Sequence, residues 1–120
     1  DINNLSYAIT VHDALERVWL PRAKDTIVKI SRMAKEMAAI PMLSRTHGQP
    51  ATPTTMGKEL AVFAHRLKRQ TTKAAGQQIL GKFSGATGTF AAHLAAAPNV
   101  DWAKESKEFV EHLGFDWNPL

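Results

Sequence analysis

Cysteine is absent from the 120 residues, which excludes disulfides and thiolate metal sites within them. No run approaches the roughly 18 uninterrupted apolar residues of a membrane span. A secretory signal pattern is missing too. The five histidines, at 12, 47, 65, 93 and 112, include no pair at ligand spacing beside a carboxylate, so no metal is expected. Repeats, low-complexity tracts and a convincing strand pair are also lacking. The net charge of +4 admits an anionic partner such as a phosphate or dicarboxylate, and falls short of a nucleic-acid signature. The length suits one domain or a piece of one. Because the chain starts at Asp1 and a helical pattern is already running at Ile2, an internal piece of a longer protein is expected.

What is present is mostly helix. From residue 2 to about 19, Ile2, Leu5, Ala8, Ile9, Val11, Leu15, Val18 and Trp19 recur at steps of three and four, as on one helix face. Asp1 is placed to cap it, and His12 borders the stripe as a packing or surface residue. Pro21 ends this helix or opens the next from its first turn. A second pattern, from about Arg22 to Ala39, puts Ile27, Ile30, Ala34, Met37 and Ala38 on one side and charge on the other. Ile40-Pro41 stops it, and Met42-Leu43-Ser44 reads as a short extended entry. A third helix opens at Thr54-Thr55, with Thr52 or Thr54 as cap. Its apolar positions run from Met56, Leu60, Phe63 and Leu67 to Ile79. Asp101 caps a last helix that Gly114 ends. The reading is all-α, with about four helices whose apolar stripes exceed what the piece can cover by itself. Parts of the Met56-Leu60-Phe63-Leu67 stripe are therefore expected to be exposed.

Between the second and third helices lies the chemically densest stretch, Ser44-Arg45-Thr46-His47-Gly48-Gln49-Pro50-Ala51-Thr52-Pro53. Pro50 and Pro53 keep Gln49 and Thr52 out of the helical region. Gly48 takes backbone angles closed to other residues and lets a ligand approach the main chain. His47 is thus held on an extended or turning segment of low freedom, flanked by hydrogen-bonding groups. Such a setting suits a general acid or base; the plainer alternative is a solvated loop histidine. Further on, Gly81 to Thr89 holds three glycines, Lys82 and several hydroxyls. Its backbone N–H groups can face an anion, or it is simply a close packing point; a Walker motif it is not. His93 reads as a structural residue in an Ala-rich helix. On the third helix Lys58, Arg66, Lys68, Arg69 and Lys73 form a basic face without interleaved aromatics, so nucleic acid is not the expected partner.

Thr46-His47-Gly48-Gln49-Pro50-Ala51-Thr52-Pro53 and the following Thr54-Thr55-Met56-Gly57-Lys58-Glu59 resemble the histidine motif of the fumarase/aspartase superfamily. Within it, the stretch looks most like the bacterial-type adenylosuccinate lyase family. Ile2 to Ser6, Ile79 to Lys82, Gly85-Ala86, Val100 to Trp102 and Trp117 to Pro119 extend the likeness over nearly the whole chain.

The resemblance implies part of a long-helix central domain, residues 1 to 120, that assembles into a cytoplasmic homotetramer with active sites shared between subunits. It implies a β-elimination without metal or organic cofactor on a small nucleotide substrate, with fumarate leaving from adenylosuccinate or from the succinyl-carboxamide ribotide. His47 matches the family's general acid, Thr46 a substrate-binding residue, and Gln49 a weaker candidate for the same role. The general-base Ser falls beyond Leu120 and a substrate-binding Thr-Ser pair before Asp1, so these residues alone are expected to be inactive. Alternatives are another superfamily lyase (argininosuccinate lyase, fumarase or a cycloisomerase), or a non-enzymatic module binding an anion through its basic face.

Overall fold

Two helices of opposite sense, joined by a β-hairpin, make one half of the chain; a short helical layer around a small apolar core makes the other. The computed structural model describes all 120 residues and resolves into two compact units, Glu16–Gly76, and Asp1–Leu15 with Gln77–Leu120.

In the first unit, α2 (Leu20–Glu36) packs against α3 (Met56–Ala75). A π turn at Leu15–Trp19 precedes α2, and Pro21 lies in the first turn of α2, which settles its two readings in favour of opening a helix. Proline lacks the N–H that the carbonyl four residues back would otherwise receive, so a change of helical register just before it is a natural accommodation. The α2–α3 approach rests on small side chains. A Cβ added to Gly57 would overlap the Ala34 carbonyl oxygen and lie 2.6 Å from Ala38 Cα. Backbone bonds from Gly57 N to Met37 O (3.0 Å) and Met56 N to Ile40 O (2.9 Å) tie the start of α3 to the turn after α2. The far face stays open: Met56 is 41% and Phe63 62% exposed. The expected uncovered stripe is there.

In the second unit, α1 (Ile2–Ala14) and α5 (Trp102–His112) enclose a core of Leu5, Ala8, Val110 and Phe115. Partly buried Ile79, Phe83, Leu113 and Trp117 pack onto it. Two-residue strands β3 (Leu80–Gly81) and β4 (Asp116–Trp117) pair in parallel, and a short α4 spans Ala91–Ala96. Asp101 caps α5 by accepting from Lys104 N, and Gly114 follows the helix at φ 86°. His12 sets its ring edge against Phe115, centroids 5.9 Å apart.

The helical reading holds, with local corrections. α3 stops at Ala75 with Gly76 after it, so Ile79 belongs to the other unit's core. The cap of α3 is Thr55, whose side chain accepts from Lys58 N, and neither Thr52 nor Thr54. Asp1 occupies the N-cap position of α1 without a side-chain cap bond, because its carboxylate is engaged elsewhere. A strand pair does exist, β1 (Pro41–Thr46) with β2 (Gln49–Thr55). Three prolines argue against strand in sequence, yet in a two-stranded ribbon both strands are edges, where a missing N–H is tolerated.

Candidate active site

The β1–β2 hairpin turns through two residues, His47 and Gly48, between the paired Thr46 and Gln49. Both turn residues have positive φ, 49° for His47 and 77° for Gly48. That is the signature of a type I′ turn, whose twist matches that of the flanking strands. Gly48 meets the requirement at no steric cost, since an added Cβ would find nothing within 4 Å. His47 pays a strain that glycine would not, as non-glycine residues visit this region uncommonly. Strain of this kind collects at functional sites.

Further down the ribbon the register slips: Leu43 pairs with Pro53, but Arg45 with Pro50. Two residues of β2, Ala51 and Thr52, thus oppose Ser44 alone, a β-bulge of the kind that re-aims nearby side chains. The Ser44 hydroxyl donates to the Thr52 carbonyl across the bulge. At the tip, Arg45 Nη1 donates to the Gly48 carbonyl at 3.2 Å. At the other end, Thr54 Oγ1 donates to Glu59 Oε1 (3.2 Å) and Lys58 Nζ reaches the same oxygen at 3.0 Å. The hydrogen bond from Lys58 foremost, aided by its charge and by Thr54 against some desolvation, holds the Glu59 carboxyl below its usual range.

The structure therefore brings all three expected site residues together. Thr46 and Gln49 are cross-strand partners flanking His47, and all three are exposed. An imidazole that can pass a proton stands between a hydroxyl and a primary amide that can hold a polar ligand. Sequence reasoning gave Ser44 and Arg45 no role; the signal for Arg45 is its spacing, three residues before a glycine carbonyl in a tight turn. The hairpin tip is separate from the concave apolar surface of its unit. A groove of about 620 Å³ runs between α2 and α3 over Ile27, Ala34, Ala61 and Ala64, with Lys35, Lys58 and Lys68 at its rim. Thr46, His47 and Gln49 do not line this groove.

The 81–89 loop turned out to face an anion from its own chain. Asp1 Oδ1 accepts from Ser84 N (3.2 Å), and Oδ2 from Gly85 N (3.1 Å). Lys82 Nζ lies 3.6 Å from the same carboxylate and donates to the Gly85 carbonyl at 2.7 Å. His93 Nε2 stands 4.0 Å from Asp1, with its ring edge-on to Phe83, Phe90 and Trp102. Both earlier readings of the loop are thus partly right: its N–H groups do bind an anion, and the result is a packing point. His93 is structural, as expected from sequence. No group of three His, Cys, Asp or Glu side chains is placed to hold a metal ion, and no helix is long and apolar enough to cross a membrane.

A family model described as "Lyase" matches residues 1–119. The adenylosuccinate lyase of Haemophilus influenzae is 53% identical over 119 residues, covering 99% of this chain and 26% of that protein. That of Escherichia coli is 50% identical with the same coverage. In three dimensions the chain resembles the 3-carboxy-cis,cis-muconate lactonizing enzyme of Pseudomonas putida, with a TM-score of 0.77, 25% identity, and 93% of this chain laid on 25% of that one. The chain spans about a quarter of the length of these relatives. It belongs to this lyase family, and its architecture is part of the long-helix fold of the fumarase/aspartase superfamily.

Proposed function

We propose that the protein carrying this chain is an adenylosuccinate lyase of purine nucleotide synthesis, in which His47 is the general acid. The reaction is a β-elimination. A base removes a proton from the carbon next to one carboxylate of the succinyl group, the C–N bond breaks, and the double bond of fumarate forms. The electron pair leaves on nitrogen, and His47 supplies the proton that nitrogen takes up. Without a donor, nitrogen would have to depart as a poor anionic leaving group, so the proton acts where charge develops. Thr46 and Gln49 hold the substrate beside it. The products are fumarate and AMP, or fumarate and the carboxamide ribotide, with no metal or organic cofactor.

The reading rests on one observation above the others. His47 is fixed in a left-handed turn between paired Thr46 and Gln49, exposed at the tip of a ribbon, in a chain about half identical to proteins of that name. An exposed tip has donors but no walls. The proposal therefore includes the surrounding assembly: residues 1–120 form part of the central helical domain of a cytoplasmic homotetramer. The remaining walls, including the general-base Ser, come from other segments and other subunits. The neighbouring superfamily chemistries are weaker alternatives, since the lactonizing enzyme shares 25% of residues against 53% for the adenylosuccinate lyase.

The test is His47→Ala in the full-length protein, following fumarate release from adenylosuccinate. General acid–base groups contribute about 10²–10⁴-fold, and a loss in that range is expected with assembly unchanged. Turnover within about tenfold of the unsubstituted protein contradicts the role.

A further inference from the structure

The His47–Gly48 turn has a feature that the proton-transfer reading does not use. In a two-residue hairpin turn the carbonyl of the second residue lies outside the strand ladder and, at this exposed tip, would otherwise be met by water alone. Here the Gly48 carbonyl receives the Arg45 guanidinium, Nη1 to oxygen at 3.2 Å. The donor comes from the strand just before the turn and the acceptor from the residue just after His47, so the bond spans His47. The bulge beneath it is bridged by Ser44 to Thr52. Two cross-links, one at the tip and one at the bulge, thus hold a ribbon that is only two strands wide. An isolated two-stranded ribbon is marginal in water, and the left-handed angle at His47 is a strained one. Something has to hold it there.

We propose that Arg45 is a positioning residue for His47: its guanidinium closes the turn and fixes the direction in which the imidazole is presented. The inference rests on the proton-donor role of His47 and adds the device that aims it. Arginine suits the task because its charge persists across the working pH range and its planar fork offers donors in fixed directions. The clamp therefore does not switch off when the imidazole changes charge. The effect belongs in kcat, since misaiming a reacting group by about 1 Å can cost on the order of 10²-fold.

The experiment uses the full-length protein with Arg45→Met, Arg45→Lys, Gly48→Ala and Gly48→Asn, and His47→Ala as reference, measuring kcat and KM for adenylosuccinate. Arg45→Met keeps an apolar stem without donors and is expected to lose about 10- to 100-fold in kcat, with KM within about twofold. Arg45→Lys, which keeps a donor, is expected to recover part of the loss. Gly48→Ala strains a backbone at φ 77° that has open space around it, whereas asparagine tolerates that region. Alanine is therefore expected to lower kcat more than asparagine.

An Arg45→Met protein with unchanged kcat, alongside an inactive His47→Ala, overturns the positioning role and leaves the acid standing. A raised KM with intact kcat makes Arg45 a substrate contact and overturns it too. If Arg45→Met does not fold, the Gly48 pair decides: equal kcat for alanine and asparagine refutes the inference. An active His47→Ala brings down the underlying reading instead.

Discussion

The 44–53 hairpin and the 81–90 loop are built from the same materials and use them in opposite ways. Each has a histidine in or beside it, at least one glycine at positive φ, hydroxyls and a basic side chain, and each has one non-glycine residue in the left-handed region, His47 and Phe90. In the loop the polar groups turn inward. Ser84 is fully buried, two backbone N–H groups grip Asp1, and His93 sits among three aromatic rings. In the hairpin only the framework is cross-linked, and Thr46, His47 and Gln49 stand out in solvent. A glycine-rich segment whose backbone N–H groups are already taken by a carboxylate of its own chain works as a joint, even with the Ser84 hydroxyl and His93 Nδ1 buried without a partner. One that holds its side-chain donors outward on a fixed turn leaves them free for a ligand, as the proposed role of the hairpin requires.

The contrast can be broken from either side. The largest structural effect is expected at the base of the hairpin, for Gly57→Ala. Its Cβ would meet backbone at Ala34 and Ala38, which cannot rotate away. Overpacking of this kind costs about 3 kcal/mol, the upper part of its usual range. Chemical denaturation should show the lowered midpoint, and an unchanged midpoint would mean that α2 and α3 do not need this close approach. Next comes the loop, where Asp1→Ala removes an anion held by two N–H groups and Lys82. Leaving those donors without their acceptor is expected to cost about 2 kcal/mol in the same measurement. A smaller loss than that of an exposed acidic residue such as Glu108 would show that the loop is no joint.

The smallest effect belongs to Glu59. Its carboxyl is held below the ordinary value of 4.5, chiefly by Lys58. A group whose folded pKa is depressed adds stability above its unfolded value, and that stability is lost as pH falls through the folded value. Glu59→Gln should therefore narrow the gap in stability between neutral and acid pH slightly, with the two proteins converging in acid. A gap that is the same in both would remove Glu59 from the support of the hairpin.

Much of this was legible in the sequence because it is local. Apolar spacing gave α1, α2, α3 and α5; Asp101 and Gly114 marked the ends of α5; and the X-Pro pairs with Gly48 placed His47 on a restrained segment, extended or turning. The ribbon itself was hidden, because Pro41, Pro50 and Pro53 are strand breakers everywhere except on edges. The cap of α3 was missed by one residue, since Thr52, Thr54 and Thr55 are chemically alike and only backbone angles choose among them. The partner of the 81–89 loop lies more than eighty residues away at Asp1, beyond the reach of any local pattern. That His47 and Gly48 both adopt positive φ could have been anticipated from a two-residue turn between potential strands, had the strands been recognised.

The claim that the hairpin tip carries the proton donor is tested most directly by the alkaline side of the pH–rate profile. In the full-length protein, kcat/KM for adenylosuccinate should be measured across pH for the unsubstituted form and for His47→Ala. A general acid works only while protonated, so the unsubstituted protein is expected to lose activity toward alkaline pH. His47→Ala should show a low rate without that descending limb. The same descending limb in both proteins would contradict the account, because the proton would then come from another group.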